Sequence, residues 1–411
     1  MEYSPAIIHA KSLLLLLGVV LGSGTFAGFI ARLINVPDVV LFLLVGMLLG
    51  GACLGWVNVS VDSTVNQLLL IFGSCYILFD GGASVKLIVL RNVWPTLLLI
   101  STIGVLITAA ITGLAAKAFL GLPWIIALLL GSTIASTDPA TLVPVIKQVK
   151  ICAKVAQTVM SESAFNDAMG TILTFTVLGI VMSNSSFSFS DSIVALLKQS
   201  LIGLIGGVVL GYLATLLIAH EKYNFLAEYA PVVTLMSVAV VYLSLDSLNA
   251  SGFMAVFAFG MVLGNKELFG FKMGQGEAGK LEDYILNTSL IMRMFIFILL
   301  GSQVNFALLQ QYLWGSLSVV AVFVLVARPI TVFVCALPDR RAKWTWQELV
   351  FMCWARETGV IPGALAGMLV GIKAPHADVI SSVTFMSILM TITVQATTTR
   401  WLASKLKLLE Y

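Results

Sequence analysis

The stretch Gly131-Ser-Thr-Ile-Ala-Ser-Thr-Asp-Pro-Ala-Thr-Leu-Val-Pro144 decides the fold, because it interrupts an apolar run reaching from about 123 to 147. Pro139 has no N–H and clashes with the turn before it, and Pro144 repeats the defect further along. Together they open a helix near Thr137 and Asp138 and free carbonyls in mid-span. Unwound backbone at bilayer depth is tolerated only where it lines protein or a water-filled cavity. Freed carbonyls beside a carboxylate are hard oxygen ligands, suited to a small cation. The blander reading is a proline kink with an incidental aspartate. Three polar or helix-breaking features stacked at mid-span argue against it.

The rest of the chain supplies the setting. Of 411 residues, 59% are hydrophobic and 10% charged, against roughly 25% charged in soluble domains. Apolar runs of about 20 residues, enough to cross a bilayer, recur from end to end. The expected spans are 6–31, 38–54, 65–83, 94–119, 123–147, 154–182, 193–219, 230–246, 250–264, 283–301, 314–336, 346–371 and 379–404. This is an all-α polytopic membrane protein of about thirteen helices, read as one transmembrane domain over 1–411 with no soluble regulatory domain. The first run reads as a retained helix, and the polar connection 265–283, with Gly274, Gly276 and Gly279, as a flexible loop.

Sixteen of the 23 basic residues fall in connections on one side, four lie near helix ends on the other, and Arg293, Arg328 and Arg356 lie inside spans. By the positive-inside rule the C-terminus is cytoplasmic and the N-terminus outside, in a cell (inner) membrane. A net charge of +3 implies no nucleic-acid partner. The five cysteines show no paired spacing and the three histidines no ligand cluster, so no cofactor is expected.

Ionised groups at bilayer depth are costly and need a partner or a purpose. In the sixth span, Ser161-Glu-Ser-Ala-Phe-Asn-Asp-Ala-Met-Gly170, Ser163 and Asp167 share one face. Glu162 and Asn166 form a second i,i+4 pair on the neighbouring stripe. In the twelfth, Trp354-Ala-Arg-Glu-Thr-Gly-Val-Ile-Pro-Gly363 again predicts a broken helix. Interrupted segments in corresponding places of two halves point to an inverted-repeat transporter with its site at the midplane. Asp80, in Leu78-Phe-Asp-Gly-Gly82, is either a half-buried member of the site or a membrane-interface residue; Asp246 reads as a solvated helix end. Glycines four apart (Gly18/Gly22, Gly24/Gly28, Gly46/Gly50, Gly207/Gly211) read as close helix packing, with or without a subunit interface.

Ser136-Thr-Asp-Pro139 and Ser161-Glu-Ser-Ala-Phe-Asn-Asp167, with looser matches at 78–82 and 354–359, resemble the NhaP-type sodium/proton exchangers among the monovalent cation/proton antiporters. The resemblance implies a secondary antiporter, not an enzyme, exchanging Na⁺ or Li⁺ for H⁺ by alternating access. It implies cation and proton binding in turn at Asp167, with Ser163, Asp138 and the Thr137 carbonyl completing a Na⁺ site and an acid at the end of the third span also contributing, which falls on Asp80 where the family often has Glu. It pairs Glu162 with Arg356, and its Asn166-Asp167 pair resembles the electroneutral branch. It further implies a homodimer involving the first helix, with a core bundle of about 94–182 and 314–404 and the remaining helices as scaffold. Arg356-Glu357 departs from the family's usual Arg-Gly. A K⁺/H⁺ exchanger would share all these motifs. A cation channel would also use buried acids, but no filter-like carbonyl repeat is present.

Overall fold

The computed structural model describes residues 4–34, 36–61, 63–137, 151–183, 189–220, 223 and 225–409. Asp138, Pro139 and Pro144 lie outside them, and statements of absence below concern the described residues.

The helices are α1 (Pro5–Ile34), α2 (Asp38–Leu49), α3 (Thr64–Ser84), α4 (Trp94–Leu120), α5 (Trp124–Thr133), α6 (Ala153–Ser183), α7 (Phe189–Ala219), α8 (Ala230–Ser247) and α9 (Gly252–Gly264). They continue with α10 (Gln275–Ser302), α11 (Leu313–Ala336), α12 (Trp346–Trp354), α13 (Val360–Gly371) and α14 (Ala377–Lys405). Each of the expected spans overlaps at least one of them, with ends that differ by several residues. Among the described residues nine helices are long and apolar enough to cross a membrane, and α2, α5, α9 and α13 are shorter apolar helices. Outward-facing Leu14, Phe26, Val232 and Trp314 put large apolar side chains on the outside, as a hydrocarbon surround requires.

Small residues set how closely the helices approach. Gly46 and Gly50 of α2 lie directly on the backbone of Ile298 and Ser302 in α10, and Gly207 and Gly211 of α7 on Ala255 and Phe259 in α9. A methyl group at any of these positions would push the backbones apart. By contrast, an added Cβ at Gly18 or Gly22 of α1 would meet nothing within 4 Å.

One expectation is corrected. The 265–283 connection is not a continuous flexible loop: residues 266–269 form a 3₁₀ turn and α10 begins at Gln275. Gly276 and Gly279 occupy the first turns of α10, with Glu277, Lys280, Glu282 and Asp283 beside them. Charged residues are adequate helix formers, so a helix can run past the apolar segment that a span count detects.

Two helices are widened by π turns, over Phe323–Ala327 in α11 and Thr391–Ala396 in α14. The first precedes Pro329, whose missing N–H and ring cannot be held in a regular ladder. In the second, the Thr391, Thr393, Thr397 and Thr398 hydroxyls return to carbonyls one turn back and compete with that ladder. Such turns are frequent at functional sites.

Candidate cation site

Helix α5 stops at Thr133, and α12 stops at Trp354 with Ala355–Gly359 non-helical before α13 starts. Backbone groups stripped of helical partners must be satisfied elsewhere, most of all inside a membrane. Side chains from other helices do this. Arg356 donates to the Ala135 carbonyl, and the Thr137 amide donates to Asn166 Oδ1 at 3.0 Å. Arg328 Nε donates to the Met352 carbonyl at 2.9 Å and Gln395 Nε2 to that of Trp354 at 2.8 Å. The Thr358 amide donates to Thr391 Oγ1 at 3.0 Å. The polar residues of α6, α11 and α14 thus hold the irregular backbone at the end of α5 and between α12 and α13 in place.

The Thr137 hydroxyl lies 2.9 Å from Ser163 Oγ and 3.1 Å from Asn166 Oδ1. Thr137, Ser163 and Asn166 therefore form one buried knot, with Asp167 next in sequence and one helical turn from Ser163. Glu162, Ser163, Asn166 and Asp167 are each no more than 2% exposed. Asn166 acts here as a clamp on the unwound chain. Gly170 completes the fit, because a Cβ there would meet Ser136 Cβ at 3.0 Å. Asp138 follows Thr137 directly but lies outside the described residues.

The expected Glu162–Arg356 pair is corrected. Glu162 is held by both guanidinium NH groups of Arg328, that from Nη2 to Oε2 at 2.9 Å. Arg356 instead reaches Ala135, Thr108 Oγ1 at 3.2 Å, and the face of Phe323 with its guanidinium carbon 4.9 Å from the ring centroid. The break after Trp354 turns Arg356 toward the end of α5, leaving Arg328, behind its π turn, to meet α6. Arg328 beside Pro329 in mid-span was the available signal. Arg293 pairs with Asp38 at 4.0 Å, and Glu357 is fully buried within the α12–α13 break.

Two cavities approach α6 from opposite ends of 161–170. One, about 500 Å³, is lined by Asp80, Lys86, Gln157, Met160 and Glu282; its wall includes none of Thr137, Ser163 or Asp167. The other, about 330 Å³, is lined by Gln67, Thr171, Gln199, Tyr242 and Asp246, and its wall likewise includes none of the three. Thr171 also donates to the Asp167 carbonyl at 2.8 Å. Between the cavities Phe165 meets Phe257 edge-on, ring centroids 5.0 Å apart. Asp246 is therefore a cavity residue rather than only a helix end.

Residues 15–405 match the family described as "Sodium/hydrogen exchanger, transmembrane". The chain belongs to the sodium/hydrogen exchanger family. Among its exchanger relatives, Na(+)/H(+) antiporter 1 of Methanocaldococcus jannaschii is 29% identical over 95% of both chains. K(+)/H(+) antiporter NhaP of Alkalimonas amylolytica is also 29% identical, over 88% of this chain and 62% of its own. The structure resembles that of the sodium proton antiporter MjNhaP1 from M. jannaschii with a TM-score of 0.79 at 27% identity, over 98% of each chain. The exchanger family is one of membrane transporters, and the all-α antiporter fold expected for this chain is the fold found.

Proposed function

We propose that this chain is a secondary antiporter exchanging Na⁺ (or Li⁺) for H⁺, electroneutrally and by alternating access. The observation that carries the reading is the buried Thr137–Ser163–Asn166 knot beside Asp167, standing between two cavities that approach from opposite ends. Asp167, Asp138, Ser163 and the Thr137 carbonyl supply the oxygens for a small hard cation. Asp80 and Asp246 draw cations into the two cavities. Glu162 is balanced by Arg328, so it does not compete for the transported ion. A proton and a cation then compete for Asp167, and each can be carried only when the other has left. No cofactor takes part.

The helices of 94–182 and 314–404 form the moving core in this account, and the others a scaffold. The C-terminus is cytoplasmic, supported by the sixteen basic residues on its side. The chain forms a homodimer through α1, whose Gly18 and Gly22 are open to a neighbour.

A K⁺/H⁺ exchanger is the second reading, favoured by the Alkalimonas relative at the same identity. Proteoliposomes loaded with a pH-sensitive dye and challenged with Na⁺, Li⁺ or K⁺ decide between them. Proton movement with Na⁺ and Li⁺ but not K⁺, insensitive to an imposed voltage, is the expected result. A response to K⁺ alone would replace the sodium reading.

A further inference from the structure

Where α1, α2 and α10 come together with α14, an open cavity of about 910 Å³ is walled by three guanidinium groups. Arg32 comes from the last turn of α1, Arg293 from the middle of α10 and Arg400 from the last part of α14. The wall contains one carboxylate, Asp38, placed 4.0 Å from Arg293. One acid against three arginines leaves the wall two positive charges in excess. The Arg293 side chain is only 13% exposed. Asp38 answers Arg293, so the excess positive charge rests with Arg32 and Arg400, which are exposed at the cavity and accessible to an anion.

The walls indicate which anion. Beside the arginines the cavity is apolar, with Phe29 and Leu290, and Asn287 adds a hydrogen-bonding group. It adjoins an outward-facing apolar surface: Phe29, Leu33 and Ile34 of α1 are all more than half exposed. The charged wall therefore adjoins an exposed apolar surface about two to four turns beyond Gly18 and Gly22 on α1, where a headgroup can enter with its chains against that surface. Guanidinium forks match phosphate oxygens two at a time. Basic pockets between membrane helices suit anionic lipid headgroups.

We propose that this cavity is a binding site for the phosphodiester headgroup of an anionic phospholipid, which bridges α1 and α10 to α14. The bridge has a route to transport. Arg400 lies on the same helix as Gln395 and Thr391, which hold the Trp354 carbonyl and the Thr358 amide of the α12–α13 break. A headgroup on Arg400 thus restrains the helix that holds the irregular backbone there in place. The bridge is the same whichever cation is exchanged.

The test uses the full chain, delipidated in detergent and offered phosphatidylglycerol or phosphatidylcholine, with bound lipid read by native mass spectrometry. Arg32→Gln and Arg400→Gln alter exposed side chains and leave the Arg293–Asp38 pair intact, so both variants should fold. Phosphatidylglycerol should be retained in preference to phosphatidylcholine, and the double variant should bind it about tenfold or more weakly, the loss of two charge-assisted contacts. Two outcomes overturn the proposal. One is equal retention of both lipids, or equal retention by the double variant. The other is complete displacement by millimolar inorganic phosphate, which would make the site one for a free anion. Loss of dimer in the double variant with lipid retention unchanged would assign the cavity to a second copy and overturn it likewise.

Discussion

Arg328 of α11 and Glu162 of α6, 166 residues apart in sequence, meet through both guanidinium NH groups with each side chain 2% exposed. Breaking such a pair leaves an uncompensated charge in a dry site, typically at a cost of about 3–5 kcal/mol. Arg328→Gln should therefore lower the thermal unfolding midpoint sharply in detergent, and adding Glu162→Gln should recover much of the loss. The corresponding cycle for Glu162 with Arg356 should show little coupling. Strong coupling to Arg356 and none to Arg328 would refute the pairing.

Asn166 holds the unwound chain at Thr137 by contacts of 3.0 and 3.1 Å. Asn166→Ala removes both, at about 0.5–1.5 kcal/mol each. The expected effect is a rise of roughly tenfold in the apparent KM for the cation, with the protein still folded. An unchanged KM in dye-based flux measurements would show that Asn166 does not position Thr137.

Gly170 lies against Ser136 with no room for a branched side chain. Gly170→Val should move the Ala135–Thr137 segment away from α6 and reduce exchange strongly, more than Gly179→Val, since a Cβ at Gly179 would meet nothing within 4 Å. Flux normalised to purified protein distinguishes this from loss of expression. Equal effects of the two substitutions would contradict the close approach.

The knot was half legible in the sequence. Ser163 and Asp167 fall on one face by helical spacing alone, and the residues around Thr137 were marked by their prolines. The choice between Arg328 and Arg356 was not legible, because it depends on the direction of the chain inside the α12–α13 break. Spacing rules describe regular helices and say nothing about a five-residue irregular turn such as Ala355–Gly359. The two cavities were hidden for a similar reason: Asp246 and Thr171 come together only through the packing of α6 near the α8–α9 turn. The long start of α10 is not visible to a span count, because membrane spans are recognised by apolarity and helices are not.

Asp80 and Asp246 stand in different cavities. Removing a charge from a cavity mouth weakens cation recruitment on that side and leaves the other unaffected. Asp80→Asn should raise the apparent KM measured from one face of the membrane, and Asp246→Asn that from the opposite face, both more at low salt. Identical effects from both faces would mean that the cavities are not separate entry routes.

In the proposed cycle one carboxylate, Asp167, carries cation and proton in turn. In proteoliposomes under an imposed pH gradient, wild-type protein should release the gradient on addition of Na⁺, and its apparent KM should rise as pH falls, in proportion to competing proton. Asp167→Asn keeps the shape of the site and cannot exchange a proton, so it should give no Na⁺-driven proton movement at any pH. Proton movement persisting in Asp167→Asn would contradict that role for Asp167.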